Sequence, residues 1–433
     1  MSKIFLKNAY VMKSSDSETK KYNIAVNDGK IIKITDENDF FDENGYEIFD
    51  LNNKLITPGF INSHSHAVMT YFRGNSDDTT IKEWLFDNML PREEFLNDEM
   101  AYYGAMTGFM EMISSGITTS VDMYMFTDSI SKAAADTGIR AYVSRGLSYD
   151  TQEGWERRIN ENIETYKKYN NYDGRIKIGF GPHAPYTVPM EKFRELSEII
   201  NDYKESINQI HIYEGLWEKE SYKLSDLEET GFLSHNVIAA HCVHADDEDI
   251  KILKRNNVTV AHNPSSNMKL GSGTAPIKKF IDSGINVTLG TDGAGSNNSL
   301  NILKEAHMAS MLQKNTIGPE KIKKEEILKM CWENGAHALN EKIGEIREGY
   351  MADLVVFDLN DEEWLPNNTV KFKSHLVYNI PKKSLYATMI NGKWVYFDRK
   401  FPGINKEDIY EKFGKYCDKI EADFYNYSNN LGK

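Results

Sequence analysis

The sequence predicts an α/β protein: a (β/α)8 TIM-like barrel with a small β-sandwich domain built from both chain ends. Three observations carry that prediction. Short apolar runs alternate with helical segments across residues 56–343. Most of those runs stop at a histidine, an aspartate or an arginine. The two ends of the chain share another texture, short β-type runs joined by glycine-containing turns. Repeated strand–helix units argue for a parallel sheet covered by helices, and eight of them close a barrel.

Residues 1–55 hold Ile4-Phe5-Leu6, Ile24-Ala25-Val26 and Lys30-Ile31-Ile32-Lys33-Ile34, with Asn27-Asp28-Gly29 as a hairpin turn between the last two. Residues 344–402 repeat the texture in Ala352–Asp358 and Ala387–Tyr396, the second interrupted by Asn391-Gly392. The two ends are expected to pair into one β domain. Between them, strands are expected to end near His66, Met123, Arg145, His183, His211, His241, His262 and Asp292. Helices are expected at Pro189–Ile200, Asp247–Arg255 and Leu300–Leu312. Residues 403–433 form a tail, read as a helix from Asn405. Ile409, Phe413, Tyr416, Ile420 and Phe424 recur there at helical spacing, and that stripe is expected to pack on the barrel.

The 433 residues are 40% hydrophobic, enough for a large core and a smaller accessory domain. A net charge of −14 argues against non-specific nucleic-acid binding, which needs cationic patches. Cys242, Cys331 and Cys417 are far apart and odd in number, so neither a disulfide framework nor a cysteine zinc site follows. Cys242 is read as core filling. No run of roughly 18 apolar residues occurs and no long apolar segment follows Met1, so the protein is expected to be cytoplasmic and independent of membranes. Gly271-Ser272-Gly273 and Gly290-Thr291-Asp292-Gly293 lack the strand-then-helix context of a dinucleotide site.

In a (β/α)8 barrel, chemistry sits at the C-terminal strand ends. Leu55–Ile61 reads as a buried strand feeding His64-Ser65-His66. Residues i and i+2 of a strand share a face, so the two imidazoles project together, an arrangement that suits a transition metal and zinc most often. Further strand ends supply His211 followed by Glu214, then His241, then Asp292. Any one of these histidines alone is more commonly an ordinary buried or capping residue. The ordered set offers three imidazoles and a carboxylate, with one histidine to spare. That is the inventory of a catalytic zinc or iron site with room for water.

The segments Pro58-Gly59-Phe60-Ile61-Asn62-Ser63-His64-Ser65-His66, His211-Ile212-Tyr213-Glu214, Ala240-His241-Cys242-Val243-His244 and Gly290-Thr291-Asp292 resemble the amidohydrolase superfamily over nearly the whole chain. Glu83–Phe86 through Pro91-Arg92-Glu93, Ser144–Leu147, Gly179–Tyr186 and Asp292–Leu300 are similar to its branch of 5′-methylthioadenosine/S-adenosylhomocysteine deaminases. Triazine hydrolases and other aminohydrolases share much of that frame. The resemblance implies one divalent metal per subunit on His64, His66, His211 and Asp292, with Zn2+ first and Fe2+, Mn2+ or Co2+ as alternatives. Many relatives bind two metals bridged by a carboxylated lysine on the fourth strand. Here that strand end carries His183, and Lys177 lies several residues earlier, so a mononuclear site is expected.

The resemblance also implies roles. His241 and Asp292 orient the attacking water and accept its proton. Glu214, expected just past its strand, protonates the ring nitrogen of the substrate and helps ammonia leave. Trp84 walls the 5′ side of a nucleoside, Glu93 accepts from ribose hydroxyls, and His183 holds the nucleoside. Arg145 and Arg158, with Arg157 as the alternative to Arg158, bind an amino-acid carboxylate. Glu214, Asp292 and Ser296 complete the substrate-binding set. One arginine of this kind can come from a neighbouring subunit, which implies a homo-oligomer. The expected activity is hydrolytic deamination of adenosine-type nucleosides to inosine analogues. The alternatives are an aminohydrolase or chlorohydrolase acting on guanine, pterin or a triazine, and a noncatalytic barrel. His244 and His262 stand outside the catalytic set.

Overall fold

The computed structural model describes residues 3–430. At its centre lies a ring of parallel strands: Phe60–His66 (β1), Ile117–Tyr124 (β2), Arg140–Leu147 (β3), Ile176–Pro182 (β4), Asn208–Ile212 (β5), Val237–His241 (β6), Thr259–His262 (β7) and Val287–Leu289 (β8). β1 to β4 form one ladder and β5 to β8 another. The ladders meet at two seams. At the first, His211 N–H donates to His183 O at 2.9 Å and Phe180 N–H to Asn208 Oδ1 at 3.1 Å. Gly179 is required there, because a Cβ would lie 1.8 Å from Ile207 O. At the second seam, Asp292–Gly293 pairs in parallel with Ser65–His66, and Thr291 N–H donates to Asn62 Oδ1 at 2.9 Å. Ring closure therefore sets the last barrel carboxylate beside the first barrel histidines.

Each strand is followed by a helix on the outside: Asp98–Ser114, Thr127–Thr137, Gln152–Tyr169, Met190–Ile200, Leu224–Glu228, Asp247–Arg255, Ile277–Asp282 and Ile302–Ile317. Several starts are dictated locally. Asn97, Thr151 and Asn301 accept first-turn N–H groups, and Asp246 with Asp249 makes a capping box. The Met190–Ile200 helix turns Phe193, Leu196 and Ile200 inward, which is the apolar stripe of its sequence.

The run Leu55–Ile61, expected as one strand, is divided. Leu55–Pro58 pairs antiparallel with Leu354–Phe357, whereas Phe60 and Ile61 pair with β2. Gly59 is the pivot, since a Cβ there would lie 2.1 Å from Thr118 Oγ1. Both halves are buried on all sides, so hydrophobicity alone does not reveal the break.

Strands from both chain ends form a sheet in the order Lys393–Tyr396, Leu385–Ile390, Leu354–Asp358, Lys54–Pro58, Ile4–Val11, Lys20–Asn27, Lys30–Asp36, with Glu47–Asp50 beside Ile4–Val11. The strands expected as a sandwich are thus hydrogen-bonded into one continuous sheet. It is interrupted by register shifts at Leu6/Ala9, Ala25/Val26, Val356/Phe357 and Thr388/Met389. Such bulges bend and twist a sheet, and its strands share a core of Leu6, Ile24, Ile56, Leu354 and Met389. The two expected turns both adopt positive φ, at Asp28 (48°) and Gly29 (78°) and at Asn391 (52°) and Gly392 (70°). They pack on each other so closely that a Cβ on Gly392 would lie 2.9 Å from Gly29 Cα.

The tail helix spans Lys406–Asn430, and the expected extension over 431–433 lies outside the described residues. Its stripe packs against the Asp98–Ser114 helix and the Ala67–Phe72 turn that follows β1. Phe413 stacks on Tyr71 at 4.4 Å, Tyr416 lies 5.8 Å from Tyr103, and Ile420 is fully buried.

Candidate active site

The C-terminal strand ends open into a cavity of about 1720 Å³, and His66, His211, Glu214, His241 and Asp292 line it. His66 Nε2 lies 3.2 Å from Asp292 Oδ1 and 3.4 Å from His211 Nε2. His64 Nε2 lies 3.6 Å from Asp292 Oδ1 and is buried without a hydrogen-bond partner. Ligand atoms about 2.0–2.1 Å from a tetrahedral ion stand about 3.3 Å apart, so this spacing fits one metal ion.

The outer atoms of the set agree. His66 Nδ1 donates to Met123 O, and His211 Nδ1 donates to His183 O at 2.8 Å. Both Nε2 atoms are therefore left as acceptors facing the centre. Asp292 Oδ2 accepts from Ser266 Oγ (2.6 Å) and Ser296 Oγ (2.7 Å), while Oδ1 accepts from Gly293 N–H (2.8 Å) and faces the histidines. Burial opposes the Asp292 charge, but the imidazoles of His64 and His66 beside it outweigh that and hold the carboxyl well below its ordinary range. His64, His66 and Asp292 thus form a group whose spacing and donor atoms suit a divalent metal.

His241 Nδ1 donates to Asn267 Oδ1 at 2.8 Å, and its Nε2 faces Glu214 Oε2 at 3.7 Å. Ligand atoms of Glu214, His241 and Asp292 lie within 4.8 Å of one another. Burial, then the charges of Asp292 and Glu218, raise the Glu214 carboxyl well above its ordinary range. His241 is kept neutral by burial. The backbone around them is unusual. Tyr213 (φ 48°), His241 (72°), Cys242 (49°) and Asp292 (59°) all occupy the left-handed region. Non-glycine residues held there are strained, and such strain clusters at functional sites.

Of the expected substrate contacts, Trp84, Glu93, Arg145, Arg158 and His183 line the cavity. The Trp84 indole N–H is buried without a partner. Glu93 accepts from Tyr124 OH at 2.6 Å, and burial pushes its carboxyl up to about 7. His183 Nδ1 contacts Thr187 Oγ1 at 3.0 Å. Arg158 is bidentate on Asp150, and Arg145 bonds Glu161 and Gly146 O. Arg157 also reaches the cavity rim, but its side chain is 60% exposed against 13% for Arg158. Ser296 differs from expectation. It is fully buried on Asp292 and does not line the cavity. The four-residue helix Ala294–Asn297 begins two residues after Asp292, and its first turn brings the Ser296 hydroxyl, four residues on, to the carboxylate.

His262 is fully buried with neither ring nitrogen partnered and lies outside the cavity wall. Cys242 is buried in the apolar core. Four contributors escaped the reading of the sequence: Tyr124, Ser266, Asn267 and Glu218. Tyr124 ends β2, one residue beyond the expected strand end. Ser266, Asn267 and Glu218 lie in short helices after the strands, where residue type alone signals nothing.

A profile of the amidohydrolase family matches residues 55–395. The chain belongs to the amidohydrolase family and is a hydrolytic enzyme. Within that family its curated relatives are nucleoside deaminases. It is 41% identical over 377 residues to 5-methylthioadenosine/S-adenosylhomocysteine deaminase of Thermotoga maritima, covering 87% of this chain and 90% of the relative. It is 41% identical over 420 residues to 5′-deoxyadenosine deaminase of Methanocaldococcus jannaschii, covering 94% and 97%. An adenosine deaminase from Xanthomonas campestris with bound zinc shares the fold at a TM-score of 0.89 and 24% identity, over 97% of this chain and 99% of that one. Atrazine chlorohydrolase from Arthrobacter aurescens with zinc does so at 0.85 and 21%, over 96% and 100%.

Proposed function

We propose that the protein is a metal-dependent deaminase that converts 5′-substituted adenosines, among them 5′-methylthioadenosine, S-adenosylhomocysteine and adenosine, to inosine analogues and ammonia. The observation that carries this reading is the half-buried Glu214 carboxyl within 4.8 Å of His241 and Asp292, in a cavity whose wall bears Glu93. A noncatalytic barrel has no use for such an acid.

His64, His66, His211 and Asp292 would hold one divalent ion, and three nitrogens with one carboxylate oxygen suit zinc. Such an ion acidifies water and so supplies hydroxide at neutral pH. Asn267 holds the Nδ1 proton of His241, which leaves Nε2 to accept the proton of the attacking water. Glu214 donates its proton to the purine ring nitrogen, which drains charge from the carbon under attack; the resulting carboxylate takes the proton of the newly added hydroxyl and passes it to the departing amine, and His241 restores to Glu214 the proton it took from the water. Asp292, anchored by Ser266 and Ser296, orients the water. Glu93, held by Tyr124, accepts from the ribose hydroxyls, and Trp84 closes the 5′ side. The barrel, 56–343, carries this chemistry, and the end sheet, 1–55 and 344–402, supports it. The reading includes a homo-oligomer in the cytoplasm. No helix among the described residues is long and apolar enough to cross a membrane.

The test mixes the zinc-loaded protein with a panel of 5′-substituted adenosines and follows the ultraviolet shift from adenine to hypoxanthine. Rapid conversion by the wild type, lost in Glu214→Gln at unchanged metal content, is expected. A protein holding one metal per chain that converts none of the panel overturns the reading and directs the search to guanine, pterin and triazine substrates.

A further inference from the structure

We infer that Glu218 is a positioning residue for the general acid: its buried carboxylate holds the backbone N–H groups of the two residues that flank Glu214. The inference deepens the deaminase reading and rests on it. Glu218 is 1% exposed, yet it touches neither the cavity wall nor the metal ligands. Its Oε2 accepts from Tyr213 N–H at 3.0 Å and its Oε1 from Gly215 N–H at 2.9 Å. Those are the amides immediately before and after Glu214. Tyr222 OH adds a third hydrogen bond to Oε2 at 3.0 Å.

The clamp has something to hold. Tyr213 has a φ of 48°, a conformation that a tyrosine adopts only when its surroundings impose it. The turn is tight on its other side as well, since a Cβ on Gly215 would lie 2.4 Å from Trp217 Nε1. β5 ends at Ile212, so a continued strand would send Glu214 away from the face His211 presents. The left-handed step at Tyr213 turns the chain, and Glu214 faces His241 instead. Burying a carboxylate is costly unless its oxygens are fully used. Here both oxygens are used, each on one amide of the same turn. Release of either amide lets the chain relax toward an unstrained φ and carries the Glu214 carboxyl off its line to the substrate.

A misplacement of about 1 Å in a catalytic group costs on the order of a hundredfold in rate. Glu218→Gln keeps the size but loses one acceptor oxygen, so kcat for 5′-methylthioadenosine should fall about ten- to a hundredfold with KM within about twofold. One metal per chain should remain. Tyr222→Phe removes the third hydrogen bond and a longer one, 3.2 Å, that Tyr213 N–H also makes to Tyr222 OH, but it leaves Glu218 on both amides, so its kcat should fall less than that of Glu218→Gln. Should Glu218→Gln fail to fold, Glu218→Asp serves. It keeps the charge but is one methylene shorter, reaches one amide only, and should show the same split between kcat and KM. Wild-type kcat in the Glu218 variant overturns the inference, as does a loss that Tyr222→Phe matches. Absence of turnover by the wild type overturns the deaminase reading itself and the inference with it.

Discussion

Asn267 determines what His241 can do. Its Oδ1 takes the Nδ1 proton at 2.8 Å, so the lone pair sits on Nε2, toward Glu214. Asn267→Ala frees the ring to take the other tautomer, and kcat should drop about ten- to a hundredfold at unchanged metal content. A wild-type rate would show that the tautomer is set elsewhere. The arginines pose a separate question of selectivity. Arg158 is already bidentate on Asp150, whose side chain is 58% exposed. A substrate with a carboxylate tail must displace that partner, whereas 5′-methylthioadenosine need not. Exposed pairs are worth about 0–1 kcal/mol, so Asp150→Ala should lower KM for S-adenosylhomocysteine by up to about fivefold and leave 5′-methylthioadenosine unchanged. Equal changes for both substrates would remove Arg158 from the tail site.

Among the elements, the tail helix does more than cover apolar surface. Glu421 accepts from Asn75 Nδ2 at 2.7 Å and from Arg92 Nε at 3.4 Å, and the Arg92 guanidinium lies 3.7 Å from the centre of the Phe424 ring. Arg92 immediately precedes Glu93. The helix thus pins the segment that carries the proposed ribose contact, and Asp77 pins its other end on Lys269 and Asn298. Glu421→Ala combined with Phe424→Ala should raise KM for ribonucleosides about three- to tenfold, with kcat within about twofold. Hydrogen exchange across Asn75–Phe95 should quicken in parallel. Unaltered KM with faster exchange would uncouple the segment from binding.

For the whole molecule, the barrel and the end sheet are joined by a buried ion pair. Arg140, at the start of β3, donates to both oxygens of Asp353 at 2.8 and 3.2 Å, and Asp353 Oδ1 also accepts from Asn391 N–H at 2.7 Å. Asp353→Ala strands a buried guanidinium and should cost about 3–5 kcal/mol, read by urea unfolding. A second global effect comes from Glu305, a buried carboxyl against Ser265 N–H and Asn297 Nδ2. Burial lifts it to about 7, against the opposing hydrogen bonds. The folded state therefore holds a proton that the unfolded chain releases near the ordinary value of about 4.5. Stability from this group is full below that value and is lost as pH rises through about 7, by up to about 3 kcal/mol. Melting temperatures of the wild type relative to Glu305→Gln should fall between pH 5 and 8. A constant difference would mean that Glu305 does not titrate in that range.

Much of this was legible along the chain because it is local. Runs leading to His66, His211 and His241 mark strand tips because strands buried on both faces read as continuous short segments bounded by polar ends, and Asp28-Gly29 and Asn391-Gly392 declare their turns through the φ values they tolerate. The stripe Ile409 to Phe424 announced a packed helix by spacing alone. Local patterning along the chain was therefore enough for the set of elements and the residue types at their ends. Which of those ends meet depended on packing in three dimensions. His66 and Asp292 come to 3.2 Å because the barrel closes, and no local pattern encodes that distance. The break at Gly59 follows from Thr118, a residue of another strand. Ser296 turned to Asp292, and Glu218 reached back to two amides, through chain turns whose direction is set by neighbours packed in space. Local propensity acts over a few residues, whereas hydrogen-bond partners in a buried site are chosen by the closure of the whole ring.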